Sequence, residues 1–178
     1  MRIEILRLGH RPVRDKRLTT HLFLAARALG ASGGYYSGVP DKGIEKGMRD
    51  VCLNWGGSFA IGHTTKWKAV VQRCRESGSE IIHLTMYGTP IQLIIEKLRE
   101  SPKDKLIIVG GEKVPKDLYQ LSDWNLAVTS QPHSEVSALA ILLHELHRGR
   151  ELEKTFDGSR LVVIPQEHGK RVIRAKEA

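Results

Sequence analysis

The chain of 178 residues has only two cysteines and no long run of apolar residues. Because Cys52 and Cys74 are far apart in sequence, they fit neither a zinc site nor a disulfide scaffold, and we expect two buried thiols. No stretch approaches the roughly 18 apolar residues needed to cross a bilayer. The first residues also lack the apolar core of a signal peptide. These absences predict a cytoplasmic protein with no membrane partner.

The common nucleotide-binding and metal-binding patterns are also missing. No Gly-x-Gly-x-x-Gly follows the first predicted strand and no P-loop is present, so the usual dinucleotide and nucleoside triphosphate motifs are absent. Only His144 and His147 among the eight histidines share a short spacing around a carboxylate, which is a weak metal signal. We therefore expect no bound metal.

What the chain has in excess is positive charge. Its formal net charge is +8 and its pI is about 9.7, whereas 40% hydrophobic and 27% charged residues are ordinary for a globular protein. An excess of Lys and Arg favours a polyanionic partner, because contacts with phosphates release counterions. Nucleic acid is the first candidate, although a surface rich in Lys and Glu is also typical of thermophilic proteins.

Apolar segments alternate with segments of helical periodicity, which predicts an α/β domain over residues 1–150 with a mainly parallel sheet flanked by helices. We expect Gly9 to Lys16 to form a basic loop, Thr19 or Thr20 to cap the helix after it, and Asp41 and Ser134 to cap later helices. The predicted strands cover residues 3–8, 34–36, 59–62, 80–85, 105–109 and 125–128, and helices begin near residues 18, 41, 66, 90, 115 and 135.

The carboxyl-terminal segment has a different pattern. Residues 160–165 and 171–174 are short apolar runs that carry basic residues and are separated by a turn with a glycine, which predicts a β-hairpin. We assign residues 151–178 to a hairpin extension. A lone hairpin is marginal in water, so it must pack on the domain, on a second subunit or on a ligand.

Two bends predict a small-molecule site. A buried strand ends at Gly110 and Gly111, where missing side chains let the backbone approach a ligand, and Pro132 to Ser134 starts a helix after the next strand. Loops at the carboxyl ends of strands are where open α/β folds bind ligands. The alternative is a tight turn without a ligand. We expect the apolar walls of the site to be Leu84, Val109, Val114 and Val128.

The segment from Arg7 to His21 is dense in arginine, which binds phosphate through two parallel hydrogen bonds. We expect a rigid anion-binding loop, and the alternative is a solvated loop whose charges face water. His10 and His21 have a side chain able to exchange a proton near neutral pH, or they hydrogen-bond a neighbour.

At these residues the sequence resembles the SPOUT class of RNA methyltransferases. Residues 107–112 resemble the second signature of its SpoU-type branch, and residues 132–140 resemble the third. The beginning of the chain resembles the archaeal tRNA cytidine-56 2′-O-methyltransferase family. The resemblance lies in residues 6–12 and in Arg14, Asp15, Arg17, Thr19, Thr20 and His21. The resemblance covers essentially the whole chain.

This resemblance implies a carboxyl-terminal deep trefoil knot, a homodimer, and methyl transfer from S-adenosylmethionine to the ribose 2′-hydroxyl of cytidine 56 in the tRNA T-loop. Periodicity alone would argue against a knot, because threaded chains are rare. The implied cofactor-binding residues are Leu84, Gly110, Gly111, Glu112, Lys113, Val114, Val128, Thr129, Ser130, Gln131, Pro132, His133, Ser134 and Glu135.

The catalytic arginine departs from the usual SpoU pattern, because Leu24 stands where that arginine is expected. The candidates, in order of preference, are Arg17, Arg14, Arg11 and Arg27. Because the guanidinium group of arginine stays protonated at physiological pH, it suits the orientation of a phosphate better than the acceptance of a proton. The predicted RNA-binding residues are Arg7, Arg11, Arg14, Arg17, Arg27, Arg171 and Arg174.

Two other functions fit the same residues. A non-catalytic RNA-binding module would use the basic segments alone and bind RNA in a salt-sensitive way without a cofactor. An enzyme of the same fold could instead methylate a base or another RNA site.

Overall fold

The computed structural model describes residues 1–15, 17–111 and 114–175. Its centre is a six-stranded sheet whose strands pair only in parallel, in the order β3-β2-β1-β5-β4-β6. The parallel sheet predicted from the alternating pattern is therefore confirmed. The strands are β1 (Ile3–His10), β2 (Gly33–Gly38), β3 (Ala60–His63), β4 (Glu80–Pro90), β5 (Lys105–Gly110) and β6 (Trp124–Ala127).

Helices cover both faces of the sheet and bury two apolar clusters against it. The larger cluster lies under α2, α3, α5 and α7, and the smaller lies under α4 and α6. In the described ranges no helix has both the length and the apolar character needed to cross a bilayer. The helices are α1 (Pro12–Asp15), α2 (Leu18–Ala28), α3 (Lys42–Trp55), α4 (Trp67–Glu76), α5 (Ile91–Glu100), α6 (Leu118–Leu121) and α7 (Glu135–His147).

The segment after β1 differs from the prediction of a basic loop. The strand continues to His10 and is followed by the single helical turn α1, which Pro12 can begin because the first turn needs no backbone N–H there. The predicted cap of α2 is also wrong: Arg17 occupies that position without a side-chain hydrogen bond, and the Thr19 hydroxyl lies 2.8 Å from His10 Nδ1 instead.

Other local predictions agree with the structure. Asp41 caps α3, accepting a 2.8 Å hydrogen bond from the Gly43 backbone, and Ser134 caps α7 through a 3.2 Å bond from the Val136 backbone. Of the two cysteines expected to be buried, Cys74 is buried and Cys52 is half-buried, and neither forms a disulfide.

β4 carries an irregularity that shapes the site. Leu84 and Thr89 both pair with Leu126 of β6, so the residues between them bulge out of the sheet. This bulge lies directly against β6: a Cβ placed on Gly88 would come within 2.5 Å of the Asn125 carbonyl group. The close approach brings the bulge to the carboxyl ends of β5 and β6.

The carboxyl-terminal hairpin consists of β7 (Leu161–Ile164) and β8 (Arg171–Arg174), which pair antiparallel as predicted. The segment before it is tied to the end of α3. The Gly57 backbone N–H donates a 2.7 Å hydrogen bond to the Asp157 carbonyl, and the Arg27 guanidinium lies 4.3 Å from the centre of the Phe156 ring. These contacts connect the segment before the hairpin to α2 and to the end of α3.

Candidate active site

A cavity of about 430 Å³ opens at the carboxyl ends of β4, β5 and β6, and we call it the first cavity. Its walls come from the bulge in β4, the glycine bend after β5, and the bend before α7. Both bends singled out in the sequence therefore meet at one cavity. The predicted cofactor residues that line it are Leu84, Gly110, Gly111, Val114, Val128, Pro132, His133 and Glu135.

Four other predicted cofactor residues do not line this cavity. Thr129, Ser130, Gln131 and Ser134 lie in the bend before α7, where Ser134 serves as the helix cap. Glu112 and Lys113 fall outside the described residues.

The two glycines of the bend have different roles. A Cβ on Gly110 would lie 2.2 Å from Val114 Cγ1, so this position has no room for a side chain. A Cβ on Gly111 would meet only Arg11 Nη2 at 3.7 Å and Glu135 Oε1 at 3.8 Å, which are ordinary contact distances. Gly110 is needed for packing, whereas Gly111 leaves space open at the edge of the cavity.

The floor of the first cavity contains polar groups that the sequence reasoning missed. His83 is buried, and its Nδ1 lies 2.9 Å from Asn125 Oδ1. The Tyr119 ring packs edge-on against the His83 ring, and its hydroxyl lies 3.2 Å from Thr85 Oγ1. Burial lowers the pKa of His83, which keeps the imidazole neutral, although its hydrogen bond with Asn125 acts in the opposite direction. The sequence signal that could have revealed this polar group is a histidine inside an otherwise apolar strand.

A charged network joins β1, α1 and α7 beside this cavity. Arg7 is 1% exposed and pairs with Asp15 at 3.4 Å and with Glu135 at 3.2 Å. Arg11 Nε donates a 3.3 Å hydrogen bond to the same Asp15 carboxylate. Arg7 is thus shared between two carboxylates from distant parts of the chain, and Asp15 is shared between Arg7 and Arg11.

The two carboxylates of this network have opposite pKa shifts. Burial raises the pKa of Glu135, and the opposing charge of Arg7 only partly offsets this effect. Burial also acts to raise the pKa of Asp15, but the hydrogen bonds from Arg11 and the charge of Arg7 outweigh it and lower the pKa. Asp15 therefore remains a fixed negative charge, whereas Glu135 is the carboxylate more able to take a proton.

The burial of Arg7 and Arg27 corrects their predicted role in RNA binding. Arg7 lies inside the network described above and cannot reach a phosphate backbone. Arg27 is 7% exposed and donates hydrogen bonds to the carbonyl groups of Trp55 and Gly56, at 3.1 and 2.5 Å. Both guanidinium groups are used to connect elements of the fold, which also removes Arg27 as a catalytic candidate.

The other predicted arginines are exposed. Arg11 lines a second cavity of about 660 Å³ near the carboxyl ends of β1 and β2, and Gly111 lines both cavities. Arg14 and Arg17 line neither cavity. Arg171 and Arg174 are both exposed on β8. Arg11 is therefore the candidate arginine that this chain brings closest to the glycine bend.

The two histidines considered as proton carriers are placed differently. His10 is fully buried, and burial, reinforced by the charge of Arg7, lowers its pKa. His21 is exposed on α2. His10 is consequently a neutral group in the wall of the second cavity.

Comparisons with known proteins agree with this architecture. Residues 55–173 match the family described as tRNA ribose 2′-O-methyltransferase, aTrm56. A relative from Methanothrix thermoacetophila, named tRNA (cytidine(56)-2′-O)-methyltransferase, is 50% identical over 173 residues, covering 97% of this chain and 98% of that protein.

Solved structures share the fold at low sequence identity. The TrmH/SpoU tRNA modifying enzyme of A. aeolicus superposes with a TM-score of 0.61 and 17% identity, over 85% of this chain and 76% of that one. The SpoU methyltransferase AviRb of Streptomyces viridochromogenes, in complex with AdoMet, superposes with a TM-score of 0.58 and 16% sequence identity. The match covers 84% of this chain and 58% of that one. With the sequence match along nearly its whole length, the chain belongs to the family of tRNA ribose 2′-O-methyltransferases.

Proposed function

We propose that this protein transfers a methyl group from S-adenosylmethionine to the ribose 2′-hydroxyl of cytidine 56 in the tRNA T-loop. The observation that carries the proposal is that the glycine bend and the bend before α7 line the same cavity. The chain is also 50% identical to a relative named tRNA (cytidine(56)-2′-O)-methyltransferase. The net charge of +8 suits a polyanionic substrate.

The first cavity fits the cofactor by size and by chemistry. Its volume lies within the range of small-molecule sites, and apolar walls from Leu84, Val109 and Val128 suit an adenosine. The space left at Gly111 and the backbone of the bend would take the polar part of the molecule. When bound, S-adenosylmethionine supplies an activated methyl group.

Residues of this chain position the reacting groups. Arg11 carries a permanent positive charge at the edge of Gly111 and orients a phosphate of the RNA rather than removing a proton. Glu135 Oε1 lies on the same side of Gly111, so we assign to this carboxylate the proton that leaves the 2′-hydroxyl. Alignment of the reacting atoms contributes much of the rate, on the order of 7–11 kcal/mol in well-oriented systems.

We also propose the knot and the dimer that the resemblance implies. β6 lies at the outer edge of the sheet, but the helix that follows it, α7, returns to pack against α2 and α5. A knotted chain would follow such a path past the bulge in β4. Exposed apolar side chains on α5 and α7, Leu93 and Ile141, suit an interface. Sedimentation at equilibrium should give twice the 20.0 kDa chain mass, and a monomer would contradict the dimer.

We propose that the methyltransferase domain ends near Arg150 and that residues 151–178 form a hairpin extension. We also propose a cytoplasmic location, because the proposed substrate is a tRNA.

One experiment tests the proposed reaction directly. The protein is incubated with methyl-labelled S-adenosylmethionine and unmodified archaeal-type tRNA, and the label is mapped by nuclease digestion and mass spectrometry. We expect one methyl group on the ribose of cytidine 56. A label on a base or on another nucleotide contradicts the proposal, and salt-sensitive tRNA binding without cofactor binding favours the non-catalytic RNA-binding module.

A further inference from the structure

The second cavity has no role in the function proposed so far. It lies beside the first one, and six of its lining residues supply its chemistry: His10, Arg11, Ser37, Trp67, Gly111 and Pro115. Because Gly111 belongs to both cavities, a molecule in the second one would meet a molecule in the first one at the glycine bend. The two cavities therefore lie on either side of the same glycine.

Trp67 gives the second cavity an aromatic wall. It is the first residue of α4, it is half-buried, and it packs against the apolar cluster that contains Val70 and Val71. Lys68 Nζ lies 5.6 Å from the centre of the indole ring but is itself paired with the Asp117 carboxylate, so the cation that lines this cavity with Trp67 is Arg11. An aromatic ring that is fixed on one side and shares a cavity with a cation is typical of sites where single-stranded nucleic acid stacks a base.

His10 gives the same cavity a polar group that the fold leaves unsatisfied. Its side chain is fully buried, and its Nε2 has no hydrogen-bond partner within the described ranges. The closest carboxylate oxygen, on Asp41, is 3.6 Å away. A buried ring nitrogen without a partner is costly unless a ligand or a water supplies the hydrogen bond. Since burial lowers its pKa, the imidazole is neutral and suits an uncharged partner such as a base edge.

We propose that the second cavity binds the nucleoside to be methylated, with its base stacked on the Trp67 indole and its ribose at Gly111. This inference rests on the proposed function, because it assigns the first cavity to the cofactor. Arg11, which lines the second cavity next to Gly111, then contacts the phosphate of the same nucleotide. His10 pairs with a polar atom of the base.

Kinetics of Trp67 variants test the inference. With full-length unmodified tRNA and saturating cofactor, we expect Trp67→Ala to lower kcat/KM at least about tenfold, mainly through KM, because stacking on an aromatic ring is lost. Trp67→Phe should stay within about threefold of the wild type. The matched control is Trp55→Phe, whose indole is exposed at the end of α3 and should leave the kinetics unchanged.

Calorimetry of the cofactor separates the two cavities. We expect the Kd of S-adenosylmethionine for Trp67→Ala to remain within about twofold of the wild-type value. An equal loss of cofactor affinity and of kcat/KM would assign the second cavity to the cofactor and overturn the inference. Unchanged kcat/KM for Trp67→Ala in an active enzyme would overturn it as well.

A fluorescence titration keeps the inference testable even if the proposed reaction fails. In the double variant Trp55→Phe and Trp124→Phe, Trp67 is the sole tryptophan. We expect an RNA hairpin with the T-loop sequence to quench its emission, whereas the same hairpin without a base at the target position should not. Equal quenching by both hairpins contradicts base stacking. If the wild type transfers no methyl group, the proposed function is refuted, whereas the difference in quenching between the two hairpins still decides whether a base stacks on Trp67.

Discussion

Among single residues, two glycines and two arginines of the site show that the same residue type can have different roles in different surroundings. Gly110 has no space for a Cβ, whereas Gly111 has open space. Arg7 is buried in ion pairs, whereas Arg11 is half-exposed beside the second cavity.

Replacing Gly111 by valine should block the cofactor without unfolding the protein. The branched side chain would fill space at the edge of the first cavity, while the first added carbon causes no overlap. Calorimetry should show a loss of S-adenosylmethionine binding of at least about tenfold, with thermal unfolding close to the wild type. Unchanged cofactor affinity in this variant would refute the assignment of the first cavity.

Arg11→Ala should reduce turnover more than cofactor affinity. Loss of a hydrogen bond to a charged group costs about 1.5–3 kcal/mol, which is roughly 10- to 150-fold in kcat/KM. Arg17, the first candidate from the sequence, lines neither cavity, so Arg17→Ala should have the smaller effect. Steady-state kinetics of both variants compare them, and a larger loss for Arg17→Ala would restore the original order of preference.

Glu135→Gln should remove the acidic limb of the pH profile. If this carboxylate accepts the proton of the 2′-hydroxyl, activity falls as pH drops through its raised pKa, and the amide cannot titrate. General-base assistance is typically worth about 10²- to 10⁴-fold, so we expect a loss of that order at saturating cofactor. The measurement is kcat/KM against pH, and an acidic limb that persists in the variant assigns the proton to another group.

Among the elements, the order of strands and helices and two of the helix caps could be predicted, because they depend on local sequence. Asp41 and Ser134 cap their helices as expected. The cap of α2 could not be predicted, because the Thr19 hydroxyl contacts His10 of β1, a tertiary partner. The bulge in β4 was missed for a similar reason, since the pairing with β6 defines it.

Ser134→Ala tests an element boundary. Loss of the cap should lower the free energy of unfolding by about 1 kcal/mol. Ser137→Ala on the exposed side of α7 is the control, and it should leave stability unchanged or slightly higher because alanine favours the helix interior. Urea denaturation measures both variants, and equal stability of the two would show that the Ser134 cap contributes nothing.

In the molecule as a whole, two buried histidines and one half-buried histidine couple stability to pH. Burial is the main cause that lowers the pKa of His10, His83 and His147. The unfolded chain therefore binds more protons than the folded one below pH 6.5, so the free energy of unfolding decreases as pH falls through that range. Each histidine contributes up to about 1.4 kcal/mol per pH unit.

Urea denaturation at a series of pH values between 7.5 and 5.5 checks this prediction. The wild type should become less stable toward acid, and His83→Gln should reduce the slope because one buried titrating group is removed. His168→Gln is the matched control, since His168 is exposed on the hairpin turn. A slope that His83→Gln leaves intact would contradict the role of this histidine.

The alternation of strands and helices, the two bends of the first cavity and the basic character of the chain follow from the amino-acid sequence, because each depends on neighbouring residues or on composition. Which arginines remain accessible depends on the folded structure. Arg7 and Arg11 look alike in a basic segment, but Glu135 reaches Arg7 from the far end of the domain. The partners of a charged side chain are set by packing between distant segments, and sequence spacing carries no record of that contact.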